Sequence, residues 1–143
     1  MENDKFNVEN VMHFIKEEIK RKEISVAEQY LASRYYKQRV EECKNKKDII
    51  IFGAGDHGRS LCSMLQKEGI NTVRGFCDNN IVKYGKIING LYVFSLDYVM
   101  RNYPDAFFFI TAAQYENEIM RQLSRAGVSA DNMAIFIRAY SGL

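Results

Sequence analysis

Three glycines, in the run Gly53-Ala54-Gly55-Asp56-His57-Gly58, are the residues of this chain whose types and spacing best suit chemistry. The pattern G-x-G-x-x-G, between a short apolar run and a helical stretch, is a means of cradling phosphate. Gly53 permits a tight exit from a strand, Gly55 lets the backbone approach a pyrophosphate, and Gly58 allows a helix to pack closely on the strand. The N–H groups at the start of the following helix, with the positive end of its dipole, favour an anion. A purely structural turn that has lost its ligand would carry the same glycines.

Several residues could complete such a site. Asp78 follows the second apolar run, about 20 residues beyond the third glycine, where dinucleotide folds place an acid on a ribose hydroxyl. Asp78-Asn79-Asn80 is equally good turn chemistry, with Asp78 bonding to its own backbone two residues on. Lys83 could reach a phosphate from the next loop. His57 and Arg59 stand in the first turn of the helix, where an imidazole can bond to a phosphate or a sugar hydroxyl. The tail of a later strand, Thr111-Ala112-Ala113-Gln114-Tyr115, is expected to face the glycine turn, with Thr111 or Gln114 able to bond a ligand.

The elements that must position these residues read as a regular alternation. Ile49-Ile50-Ile51-Phe52 is an unbroken apolar run, suited to a central parallel strand buried on both faces. A helix over about 57–68 follows, with Leu61, Met64 and Leu65 inward and Gly69 as its stop. Strands are predicted over 72–77, 91–94, 106–111 and 133–137. A brief helix capped by Ser95 and another over 114–126 lie between the later ones. The expected architecture is an α/β, Rossmann-like three-layer sandwich. Its five-stranded parallel sheet has the order 3-2-1-4-5, with a ligand crevice between the first and fourth strands.

Residues 1–47 have a different character, rich in Glu, Lys and Arg and without glycine or proline. Val8, Val11, Met12, Ile15 and Ile19 recur at helical spacing over 7–21. Ser25 and Glu28 form a capping box for a second helix running to about Cys43, with Ala27, Leu31 and Tyr35 on its buried side. Lys44-Asn45-Lys46-Lys47 is a polar hinge. The expected organisation is thus an N-terminal helical extension, 1–47, and a nucleotide-binding domain, 48–143. Two helices bury little alone, so their apolar stripes must pack on the domain, on a second copy of the chain or on a partner enzyme.

Bulk properties narrow the function classes. The chain has 143 residues, 47% of them hydrophobic, which suits one domain and an appendage. Twenty basic against 18 acidic residues give a formal charge of +2, too balanced to argue for nucleic acid or an anionic membrane. Cys43, Cys62 and Cys77 form no CxxC pair, which supports reduced thiols and no zinc site. Met1 to Lys5 lack a signal pattern, and no run approaches the roughly 20 apolar residues of a membrane span, so a cytoplasmic location is expected. No Gly-x-Ser-x-Gly elbow, Walker lysine or tyrosine four residues before a lysine occurs, so catalysis by this chain alone is not expected.

The order Gly53-Ala54-Gly55-Asp56-His57-Gly58-Arg59, then Gly75-Phe76-Cys77-Asp78-Asn79-Asn80, Lys83, Gly85 and Asn89-Gly90-Leu91-Tyr92-Val93 carries a resemblance. Glu118-Ile119 and Gln122-Leu123, four positions before Gly127, extend it. Over about residues 47–137 the chain resembles the Rossmann-like nucleotide-binding domain of bacterial polysaccharide and sugar-modification proteins. That domain also precedes the catalytic parts of sialic-acid-type sugar O-acyltransferases and nucleotide-sugar dehydratases. The resemblance implies a nucleotide-sugar held by His57, Gly58 and Asp78. It departs at Asp56, where glycine is common, and at Asn79, which replaces a second acid; the acyl-transferring β-helix is absent. The leading expectation is a nucleotide-binding module for a nucleotide-sugar, non-catalytic alone, in surface glycan biosynthesis. The alternatives are an NAD(P)-binding domain of a split oxidoreductase or dehydratase, and a ligand-free scaffold for protein association.

Overall fold

The computed structural model describes residues 11–13, 15–16, 34, 37–38, 40–112 and 114–136. The chain divides into two compact units, Met1–Tyr36 and Lys37–Leu143. In the first, residues 11–13, 15–16 and 34 are helical; the capping box at Ser25 and the stripe at Ala27, Leu31 and Tyr35 lie outside the described residues. The second unit takes in the end of the second expected helix, where Val40 and Cys43 are buried.

The sheet of this unit has six strands: β1 (Ile49–Phe52), β2 (Val73–Cys77), β3 (Ile87–Ile88), β4 (Leu91–Phe94), β5 (Phe107–Ile110) and β6 (Met133–Ile135). Their order is β3-β4-β2-β1-β5-β6. The five expected strands pair in parallel and lie in the expected sequence across the sheet, but the expectation of five strands, all parallel, requires correction. A sixth, β3, runs antiparallel to β4 and takes the edge. Its turn is Asn89-Gly90, with φ of 51° and 80°, the left-handed pair that a two-residue hairpin of matching twist demands. This hairpin occupies the connection from β2 to β4, where a crossover helix is usual. Asn89 ties it down: its amide donates to Ser63 Oγ at 3.1 Å and its carbonyl accepts from Gln66.

Among the described residues after β1, three α-helices cover the sheet: α1 (Asp56–Lys67), α2 (Leu96–Asn102) and α3 (Glu116–Arg125). Every residue of β1 and β5 is buried, so both faces of the sheet centre are covered. Ile50, Phe52, Cys77, Phe108 and Ile110 share one face and pack with Val99 of α2 and with Ile119 and Leu123 of α3. Alternation along the strands sends Ile49, Ile51, Phe107 and Phe109 to the other face. There α1 buries Leu61, Cys62 and Leu65 and lies against β1. Right-handed crossovers produce this division, because the chain runs outward in opposite directions on the two sides of β1. The reversal leaves a crevice at the C-terminal ends of β1 and β5. Among the described residues, no helix is long and apolar enough to cross a membrane.

Candidate functional site

The glycine turn links β1 to α1 and is held from three sides. Gly53 has a φ of +122° and donates its N–H to Cys77 O at 2.8 Å. The buried Ala54 donates its N–H to Asp78 Oδ2 at 2.9 Å. Across the crevice, the buried Thr111 donates its hydroxyl to Phe52 O at 3.0 Å and stands 3.2 Å from Gly53 O. These bonds fix the backbone before any ligand arrives.

The three glycines differ in what demands them. A Cβ on Gly53 would strike the Thr111 hydroxyl, and its φ is left-handed; a Cβ on Gly58 would run into the Gly53 carbonyl. Both are therefore required by the fold. Gly55 is not. Its φ of −103° and ψ of −160° are extended backbone open to any residue, and a Cβ there would face open space.

Gly55 is also the N-cap of α1, and no side chain caps this helix. The first intrahelical bond runs from Arg59 N to Gly55 O, so the amides of Asp56, His57 and Gly58 precede it and remain available to an anion. They border a cleft of about 350 Å³ lined by the glycine turn, Lys83 and the tail of β5. Of the residues the sequence singled out, Gly53, Gly55, Asp56, His57, Gly58, Lys83, Thr111 and Gln114 line this cleft, joined by Ala112 and Tyr115.

Ala54, Asp78 and Asn79 lie behind or beside it, and Arg59 is not part of its lining. Ala54 is buried beneath the turn. Asp78 is used internally: Oδ2 accepts from Ala54 and Oδ1 accepts from Asn80 N at 2.9 Å, the Asx turn the sequence also suggests. Lys83 Nζ is 3.7 Å from Asp78 Oδ2, with the carboxylate largely covered. Asn79 forms a reciprocal amide pair with Gln122 of α3, both bonds at 2.9 Å. Sequence reasoning did not anticipate that pair, because no local pattern links positions 43 apart. It also missed an aromatic recess of about 220 Å³ at the sheet edge, walled by Tyr84, Tyr92, Phe94 and Tyr98. The Phe94 and Tyr98 rings there are stacked, with centroids 4.4 Å apart.

Three thiols are buried and unbridged at Cys43, Cys62 and Cys77. Burial pushes the Cys77 thiol up to about 12, with the Asp78 charge adding to the rise. Burial also raises Cys62, while a hydrogen bond with Asn89 works against it. Neither is suited to act as a nucleophile, since the thiolate is the reactive form.

The family model described as C2185-like, N-terminal, matches residues 45–134. The chain belongs to this family. No curated protein sequence matches this C2185-like N-terminal domain. Among solved structures it is similar to UDP-D-quinovosamine 4-dehydrogenase from Vibrio fischeri, with a TM-score of 0.56 and 19% identity, over 66% of this chain and 81% of that one. It is also similar to RSP, a Rex-family repressor, with a TM-score of 0.53 and 18% identity, over 73% of this chain and 58% of that one. The C2185-like domain thus spans less than two thirds of the repressor's length. Both likenesses establish a Rossmann-like fold.

Proposed function

We propose that this domain binds a phosphate-bearing nucleotide in the glycine cleft, most simply a nucleotide-sugar, and serves a partner enzyme of bacterial glycan synthesis without performing chemistry alone. The observation that carries the reading is Gly55. Its neighbours in the motif are demanded by the protein's own packing, whereas a Cβ at Gly55 would meet nothing, so the bare backbone leaves room for a group approaching from outside. That group would meet an uncapped helix start and the ammonium of Lys83. Both favour phosphate. Asp56 adds negative charge at the rim, while Lys83 stands beside Asp78.

The sugar-nucleotide choice draws on the resemblance of the motif order to polysaccharide-modification proteins. The fold shared with a UDP-D-quinovosamine 4-dehydrogenase agrees with it. That likeness to a dehydrogenase also gives the second reading, an NAD(P)-binding domain of a divided oxidoreductase. A partner enzyme or a second copy would be met through the N-terminal helical extension, residues 1–47.

A calorimetric titration with uridine diphosphate-sugars, NAD(H) and NADP(H), repeated on Gly55→Val, tests the proposal. Saturable binding of a uridine diphosphate-sugar, lost in the variant, is expected. Preference for a nicotinamide cofactor would favour the second reading. Silence across the panel would leave a scaffold for protein association.

A further inference from the structure

We propose that the cleft takes a nucleoside diphosphate, its diphosphate on the glycine turn and its base against Tyr115, and that Lys83 beside Asp78 competes with the ribose diol which that carboxylate would hold in a dinucleotide site. The proposal rests on the nucleotide reading above and specifies its ligand class.

The acid on the β2 side of the cleft is already engaged within the protein. In a dinucleotide site the acid after the second strand offers its carboxylate to a ribose diol. Here Asp78 accepts from Ala54 N–H on one oxygen and from Asn80 N–H on the other. Lys83 Nζ approaches the first of these oxygens at 3.7 Å and is itself part of the cleft wall. A ribose diol reaching that carboxylate would compete with the Lys83 ammonium beside Oδ2. Asp78 therefore acts as a positioning residue: it shapes the turn and holds Lys83 where a phosphate can reach it.

The opposite side is open and suited to a ring. The cleft continues from the glycine turn toward the tail of β5, where Gln114 and Tyr115 form its wall. Tyr115 is 57% exposed and lines the cleft wall. Its backbone is nevertheless fixed: the N–H donates to Ala112 O at 3.0 Å, and the carbonyl accepts from Ile119 N at 2.9 Å. No other ring stacks on it among the described residues. An exposed aromatic face on a fixed backbone is a stacking platform for a base. The Gln114 amide beside it supplies a donor and an acceptor for the base edge.

The test uses calorimetry with uridine diphosphate, inorganic pyrophosphate and NAD on the unaltered chain and on Tyr115→Ala, Tyr115→Phe and Lys83→Ala. Uridine diphosphate should bind, and NAD should bind at least about tenfold more weakly, since Lys83 competes for the carboxylate its second ribose would use. Tyr115→Ala should weaken uridine diphosphate about tenfold, the scale of one base–aromatic stack. It should leave pyrophosphate unchanged, and Tyr115→Phe should retain uridine diphosphate binding. Lys83→Ala should weaken both phosphate ligands. NAD binding as tight as uridine diphosphate, or an unchanged affinity for uridine diphosphate in Tyr115→Ala, overturns the inference and leaves the nucleotide reading standing. Absence of binding by all three probes overturns both.

Discussion

The hydroxyl of Thr111 donates to the carbonyl of Phe52 at 3.0 Å, across 59 positions of sequence, and so joins the end of β5 to the last residue of β1. The same carbonyl accepts from Thr111 N at 2.9 Å, so strand pairing continues through the site. Thr111→Val removes the side-chain bond while keeping the shape. A destabilisation of about 1 kcal/mol is expected, the usual net value of one internal hydrogen bond. Urea denaturation reads this directly; an unchanged midpoint would mean that the hydroxyl contributes nothing to holding the turn.

Gly58 offers a test in which two effects have opposite signs. It lies within α1, where alanine would gain about 1 kcal/mol over glycine on helix propensity alone. Its Cβ, however, would meet the backbone carbonyl of Gly53, which has no flexible end to yield. Gly58→Ala should therefore lower stability, by about 2 kcal/mol. Gly55→Ala, facing open space, should stay within about 0.5 kcal/mol of the parent. Equal effects at the two positions, measured by thermal or urea unfolding, would contradict the division of labour among the glycines.

Cys77 makes stability depend on alkaline pH. Its thiol is raised by burial from an ordinary 9.0 to about 12 in the folded protein. Above 9.0 the unfolded chain releases this proton while the folded one retains it. The unfolded state then binds fewer protons, and stability falls as pH rises. The contribution is intact below 9.0 and is lost progressively up to about 12. In Cys77→Ala the decline in unfolding free energy over that window should be shallower than in the parent. Identical slopes would show that the thiol is not protected.

The Asn79–Gln122 amide pair predicts non-additivity. Each side chain gives and takes one bond from the other, so removing either loses both. In a double-mutant cycle with Asn79→Ala and Gln122→Ala, a coupling of about 0.5 kcal/mol is expected for this exposed pair. Strict additivity would mean that the pair does not persist in solution.

Much of the fold was legible because it rests on local pattern. The four apolar residues of β1, the glycine motif, the stop at Gly69 and the Ser95 cap each depend on neighbours a few positions away. Ser95 Oγ indeed accepts from Tyr98 N at 3.2 Å. The β3 hairpin was also readable, since Asn89-Gly90 is a strong turn signal. It was passed over because Ile87 and Ile88 are too short a run to register as a strand.

By itself, the sequence determined an alternating α/β chain of Rossmann type, with a glycine turn between β1 and α1 and with Lys83 and the β5 tail as candidates for its surroundings. Hydrophobic periodicity and turn chemistry are short-range properties, and short-range properties can be read from a string of residues. Only the tertiary structure decided which polar atoms were already taken: that Asp78 is bonded to Ala54 and Asn80, that Asn79 belongs to Gln122, and that Gly55 alone of the three glycines faces open space. Those facts depend on how strands and helices distant in the chain dock against one another, and a hydrogen bond satisfied inside the protein is no longer freely offered to a ligand.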